Sequence, residues 1–338
     1  MGVPTLNRSS SLNGALSVLP TLDFALPVIA SAAAVGLAWV VLRRRKTTVP
    51  TMCSVCCPEG SLPFLPRCDY ESEGVHDVDL GQGMTGYVAG VDPMTSPSWE
   101  GRPVLVLMSD IFGHRSGRHS QIADFWAKST GGIAVAPDFF GGEPVATPAS
   151  EFAGVSLVAS FLWALISGRF KPWSRRMAAA VDPNLSILCD FLRTKRVARY
   201  AAVGFCWGAY PVLKAAANPL RAGGDACPRL AAAAHFHPSA HGIAQLMGED
   251  AIEMARQAAA LGVPQLVRVT SMEPASWQPG GAAHSVLRDK LGDKDCDFGA
   301  IAGTHGFMVR STMESTADRA AVRAGVDALV SFCVERLQ

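Results

Sequence analysis

Arg199-Tyr-Ala-Ala-Val203 runs directly into Gly204-Phe-Cys-Trp-Gly208, and a helix-forming segment follows as far as Ala217. A short apolar run, a thiol between two glycines and a helical segment describe a strand that turns sharply into a helix. Such a turn lifts its middle residue above the edge of the sheet. It needs glycine on both sides, because side chains there would meet neighbouring backbone. The middle residue, Cys206, is therefore a candidate nucleophile. At a helix N-terminus the free N–H groups favour its thiolate. A plainer reading of the same residues is a tight turn around a buried structural cysteine.

On both sides of this turn, strands and helices alternate. Strands are expected at Pro103–Met108, Gly132–Ala136, Ala231–Phe236, Gln265–Thr270 and Phe298–Ala302, all short apolar runs. Helices are expected at His119–Ser129, Pro183–Lys195 and Glu314–Arg336, with Asp182 as N-cap and Pro183 at the first helical position of the second. Residues 141–182 read as an excursion over the sheet edge. Repeated strand–helix alternation implies an α/β fold, a mostly parallel sheet with helices on both faces. In such sheets the chemistry gathers at the C-terminal ends of the strands.

Two further residues fit that location. His305, in Gly303-Thr-His-Gly-Phe307, follows the last strand and could take and return the thiol proton. Glu273 follows the strand before it and is the only acid between Glu253 and Asp289. A carboxylate there would hold the imidazole tautomer. The order Cys206, Glu273, His305 is the nucleophile–acid–histidine order of α/β-hydrolases. The bland alternatives are a packing histidine and a solvated loop glutamate. His237 ends a strand and could line a pocket; it, His235 and His284 also read as structural residues.

At this point the chain resembles the dienelactone hydrolase family of α/β-hydrolases. The likeness is carried by Cys57-Pro-Glu-Gly-Ser61, Ser109-Asp-Ile-Phe-Gly113, Ala136-Pro-Asp-Phe-Phe140, Gly204-Phe-Cys-Trp-Gly208, His237-Pro-Ser239, and His305-Gly-Phe307 with Arg310. The resemblance implies hydrolysis of small lactones and esters by a Cys–His–acid triad, with no cofactor and no metal. Cys206 would be the nucleophile and His305 the base. The amides of Ile111 and Trp207 would form the oxyanion hole. Arg310 would bind a substrate carboxylate, its alternative being a surface arginine. Two positions depart from the family pattern. Glu273 stands where Asp is usual, and Asp110 stands where a glutamate tunes the resting thiol.

The N-terminus is of another character. Phe24–Leu42 is 19 residues without a charge, followed by Arg43, Arg44, Arg45 and Lys46. At about 1.5 Å per residue it is long enough to span a bilayer, and the basic flank places the body on the cytosolic side. A removable targeting peptide, leaving an organellar or soluble cytosolic protein, and a buried helix are the other readings. The expected organisation is a disordered N-terminus over 1–23, a membrane or targeting segment over 24–46, a linker over 47–68, and one hydrolase-like domain over 69–338. Membrane contact is assigned to residues 24–42, and juxtamembrane Cys53, Cys56 or Cys57 could be palmitoylated. Cys53-x-x-Cys56 is half of a zinc-site spacing, but no second pair follows. Cys189, Cys206 and Cys333 lie in apolar patterns, as free thiols in a reducing compartment would.

Composition narrows the function classes. Hydrophobic residues are 49% and charged residues 17% of the 338, with mean hydropathy +0.20. That excludes intrinsic disorder for the body. Thirty basic against 29 acidic side chains offer no electrostatic case for nucleic acid. Residues 1–50 hold five basic and one acidic side chain, so the remainder is mildly acidic. Three readings remain: an ester or lactone hydrolase, a non-catalytic membrane-tethered binding module on the same fold, and a redox sensor using Cys206.

Overall fold

The computed structural model describes residues 61–62, 65, 71–141, 170–220 and 227–338. The expected N-terminal span at 24–42, the basic flank, Cys53, Cys56, Cys57 and most of the 141–182 excursion lie outside these residues. Among the described residues, no helix is long and apolar enough to cross a membrane. The described residues all fall in one compact unit.

Eight strands form one sheet: β1 Val75–Gly81, β2 Met84–Ala89, β3 Val104–Met108, β4 Ile133–Pro137, β5 Arg199–Phe205, β6 Arg229–Phe236, β7 Gln265–Val269 and β8 Cys296–Ala300. Their order is β1-β2-β4-β3-β5-β6-β7-β8. β1 and β2 pair antiparallel, as do β2 and β4, and the remaining pairs are parallel. Every residue of β3 and β4 is buried, as the unbroken apolar runs require of strands covered on both faces.

Helices α1 His119–Thr130, α2 Phe170–Thr194, α3 Ala209–Ala216, α4 Ala240–Leu246, α5 Ala251–Ala260, α6 Ala282–Asp295, α7 Phe307–Arg310 and α8 Thr316–Leu337 complete the described elements. Alternation along β3 divides the core. Val104, Val106 and Met108 pack with Leu185 and Leu188 of α2 and Val212 of α3. Leu105 and Leu107 pack with Trp126 of α1 and Phe332 of α8. The helices therefore cover both faces.

Two local expectations change. Pro183 lies inside α2, not at its start. The buried Val181, Leu185, Leu188 and Leu192 bind this helix to the sheet, and that packing outweighs the amide hydrogen bond that proline removes. Asp182 is accordingly no N-cap; its carboxylate pairs with Lys214 Nζ at 3.1 Å. Cys189 is not a free thiol. It forms a disulfide with Cys227, with Cα atoms 5.3 Å apart, tying α2 to the approach of β6. Spacing alone could not pair two cysteines 38 residues apart. Among the described residues, Cys206, Cys296 and Cys333 are in no disulfide, and all three are buried.

The parallel register brings the strand ends together. Met108 of β3 lies beside Gly204 of β5, Phe205 beside Phe236 of β6, Phe236 beside Arg268 of β7, and Val269 beside Ala300 of β8. The segments that follow carry Asp110, Cys206, His237, Glu273 and His305.

Candidate active site

β5 passes into a single 3-10 turn, Cys206–Gly208, before α3 begins. Cys206 takes φ +51°, a conformation side chains rarely adopt, and is fully buried. The flanking glycines are demanded by contact. A Cβ on Gly204 would run into the carbonyl of Gly208, and one on Gly208 into that of Met108. The strain at Cys206 is thus held by backbone packed too closely for any other residue.

Glu273 and His305 meet as the chain order suggested. Glu273 Oε1 lies 2.7 Å from His305 Nδ1. Its other oxygen, Oε2, accepts from the Thr270 hydroxyl at 2.9 Å and from the Thr270 amide. Gln278 Nε2 donates to the carbonyls of Thr270 and Glu273, each at 2.8 Å, closing the loop that carries the acid. The added methylene of glutamate lets the carboxylate span from the end of β7 to the histidine while keeping a grip on Thr270. With a carboxylate on Nδ1, that nitrogen carries the proton, and Nε2 is the basic one. The His237 ring packs edge-on against His305, with centroids 4.9 Å apart, and against Phe307 at 5.6 Å. His237 buttresses the imidazole from the β6 side.

Asp110 is fully buried. Its carboxylate accepts the Phe112 amide at 3.0 Å and lies 3.3 Å from Arg310 Nε. Arg310 is not a surface residue: it is 3% exposed, and its guanidinium stands 5.2 Å from the Phe112 ring. A residue that sequence reasoning overlooked supports this loop. His119 Nδ1 lies 2.7 Å from the Ser116 carbonyl, and Nε2 accepts the Asp110 amide at 3.3 Å. Burial lowers the pKa of His119, which keeps the ring neutral and Nε2 an acceptor. Ile111 and Trp207 are both 2% exposed and sit at the ends of the neighbouring strands β3 and β5. Trp207 packs against Phe140 at 4.7 Å and Phe139 at 6.3 Å.

The linker takes part as well. The Leu62 amide donates to the His305 carbonyl at 3.0 Å, and Arg310 Nη1 donates to the Leu62 carbonyl at 2.6 Å. The Gly117 amide donates to the Leu65 carbonyl at 2.9 Å. This strap stitches the histidine loop to the loop after Asp110. Nothing in the side chains of Leu62 and Leu65 signals it, because the contacts are made by backbone. Ser239, which carries no catalytic signal in the sequence, lies 3.5 Å from the Cys206 sulfur. Among the described residues, no group of acidic, histidine and cysteine side chains could hold a metal ion.

The family model for the dienelactone hydrolase family matches residues 91–261. No curated protein matches the chain. Among solved structures, it is similar to a dienelactone hydrolase-like promiscuous phosphotriesterase from metagenomic libraries, with 20% identity, 79% of this chain and 98% of the other covered, and a TM-score of 0.42. It is also similar to Est1E from Butyrivibrio proteoclasticus, with 15% identity, coverage of 79% and 99%, and a TM-score of 0.45. Dienelactone hydrolase from Anabaena variabilis gives 12% identity, coverage of 80% and 100%, and a TM-score of 0.41. The family model spans half of the chain and contains the cysteine turn and the Asp-Ile-Phe-Gly loop: this chain belongs to the dienelactone hydrolase family, a family of carboxylic ester hydrolases.

Proposed function

We propose that this hydrolase cleaves a small ester or lactone through Cys206, His305 and Glu273. His305 Nε2 takes the thiol proton, and the sulfur attacks the acyl carbon to form a C–S bond. The carbonyl electrons move onto oxygen, and the amides of Ile111 and Trp207 donate hydrogen bonds to the resulting oxyanion. The adduct collapses, the C–O bond breaks, and the leaving oxygen takes the proton back from His305. Water then gives a proton to His305 and its oxygen to the acyl carbon. The C–S bond breaks, the acid leaves and the thiol is restored. Glu273 keeps Nδ1–H oriented and stabilises the imidazolium.

The observation that carries this reading is the buried Glu273–His305 hydrogen bond of 2.7 Å, two strands from the strained Cys206 turn. Arg310, buried beside Asp110, offers a carboxylate-bearing ester a partner by exchange with that acid. The test is hydrolysis of a chromogenic ester and of a dienelactone by the wild type and by Cys206→Ala. Loss of about 10³-fold or more in kcat is expected; equal rates overturn the reading.

The cellular placement is also part of the proposal. The charge-free run at 24–42 and its basic flank favour a membrane anchor with the catalytic body in the cytosol. The Cys189–Cys227 disulfide favours a second placement, in an oxidising compartment. Protease protection of the full-length protein in sealed membranes separates the two.

A further inference from the structure

Ser239 is the N-cap of α4, a position where a serine hydroxyl ordinarily accepts an amide of the first turn. Here Oγ caps no helical amide; it meets the Cys206 sulfur at 3.5 Å. Ser239 is 2% exposed and Cys206 fully buried. The Ser239 amide also donates to the Cys206 carbonyl at 3.0 Å. Ser239, three positions beyond the end of β6, thus grips the cysteine by both its backbone and its sulfur. The parallel register of β5 and β6, which runs to Phe205 beside Phe236, brings it there.

While the sulfur is a thiol, either atom can donate in this contact. Once it is a thiolate, it can only accept, and the hydroxyl must donate. A hydrogen bond to a buried charged acceptor is stronger than one to a neutral atom. The contact therefore favours the charged form. We propose that Ser239 is a catalytic residue of this site, whose hydroxyl donates to the Cys206 thiolate, raises its fraction at neutral pH and aims the sulfur. This rests on Cys206 being the nucleophile.

The test is an ultraviolet titration of thiolate in the full-length wild type, Ser239→Ala and Ser239→Thr, each with and without Cys206→Ala. The difference isolates Cys206 from the other thiols, including Cys296 and Cys333, which burial pushes up to about 11 and about 12. Ser239→Ala is expected to raise the Cys206 pKa by about one unit or more, leaving about tenfold less thiolate at neutral pH. Ser239→Thr should titrate as the wild type does. The melting temperature of Ser239→Ala should stay within about 2 °C, because no helix cap is removed. An unchanged Cys206 pKa in Ser239→Ala overturns the proposal, and a lowered melting temperature with an unmoved pKa assigns the hydroxyl to structure. Ester hydrolysis separates the two levels. If Cys206→Ala hydrolyses as the wild type does, the nucleophile assignment falls and the role of Ser239 with it. If Cys206→Ala is inactive and Ser239→Ala titrates normally, only Ser239 loses its role.

Discussion

Glu273 and His305 are joined through Oε1 and Nδ1 at 2.7 Å, and each side chain is 1% exposed. A carboxylate sealed against an imidazole in this way fixes one tautomer and one ring orientation. Glu273→Gln offers Nδ1 the wrong partner, and kcat/KM for an ester should fall on the order of 10³–10⁴-fold. Glu273→Asp, one methylene shorter, cannot reach Thr270 and His305 together and should lose about 10–10²-fold. Steady-state kinetics alongside melting curves measure both. Full activity in Glu273→Gln would remove the acid from the mechanism.

The Asp110–Arg310 pair is buried on both sides, at 0% and 2% side-chain exposure respectively. Removing one partner leaves the other charge in a dry site, so Arg310→Met should destabilise the protein by about 3–5 kcal/mol. Adding Asp110→Asn should recover part of that loss. Chemical denaturation of the two single variants and the double variant gives the coupling. Simple additivity would show that the pair is not an energetic unit.

Leu62 acts on the histidine loop through its amide and carbonyl. Leu62→Pro deletes the amide donor to His305, whereas Leu62→Ala keeps it. A drop of about tenfold in kcat is expected for the proline variant, with the alanine variant close to wild type. If the two variants behave alike, the backbone contact does not position His305.

Burial lowers the pKa of His235 from 6.5 to about 4. His114 is lowered to about 4 by burial as well, against the opposing charge of Asp138. In each case the unfolded state binds the extra proton first. The resulting stability is therefore fully present above about pH 6.5 and is lost as pH falls toward 4. His235 alone contributes roughly 3 kcal/mol to this loss. His235→Gln should flatten the stability profile between those limits, as read by denaturant midpoints at several pH values. An equally steep profile would place the acid sensitivity elsewhere.

The Cys189–Cys227 disulfide closes a loop with a sequence separation of 38. In the chain-entropy account this restricts the unfolded state by roughly 4 kcal/mol. A reductant, or Cys227→Ser, should lower the melting temperature by several degrees. Non-reducing mass spectrometry of protein taken directly from cells should find the pair oxidised. A pair found reduced there would favour the cytosolic placement.

The sequence by itself determined the elements whose signal is local. Unbroken apolar runs marked β3 and β4, because a strand buried on both faces has few polar positions to offer. The glycines around Cys206 marked the turn because only they fit against the backbone of Gly208 and Met108. Chain order was enough to put Glu273 and His305 on the same edge, since strand ends in a parallel sheet collect there. Tertiary structure alone decided what depends on distance across the chain. It seated Pro183 inside a helix, joined Cys189 to Cys227, buried Arg310 against Asp110, and turned Ser239 from its helix toward the sulfur. Its most nonlocal decision was the Leu62 strap, which lies 243 positions before His305 and acts through backbone atoms common to every residue. Side-chain chemistry can be read from a sequence; the pairing of backbone groups far apart in the chain appears only once the sheet has brought them together.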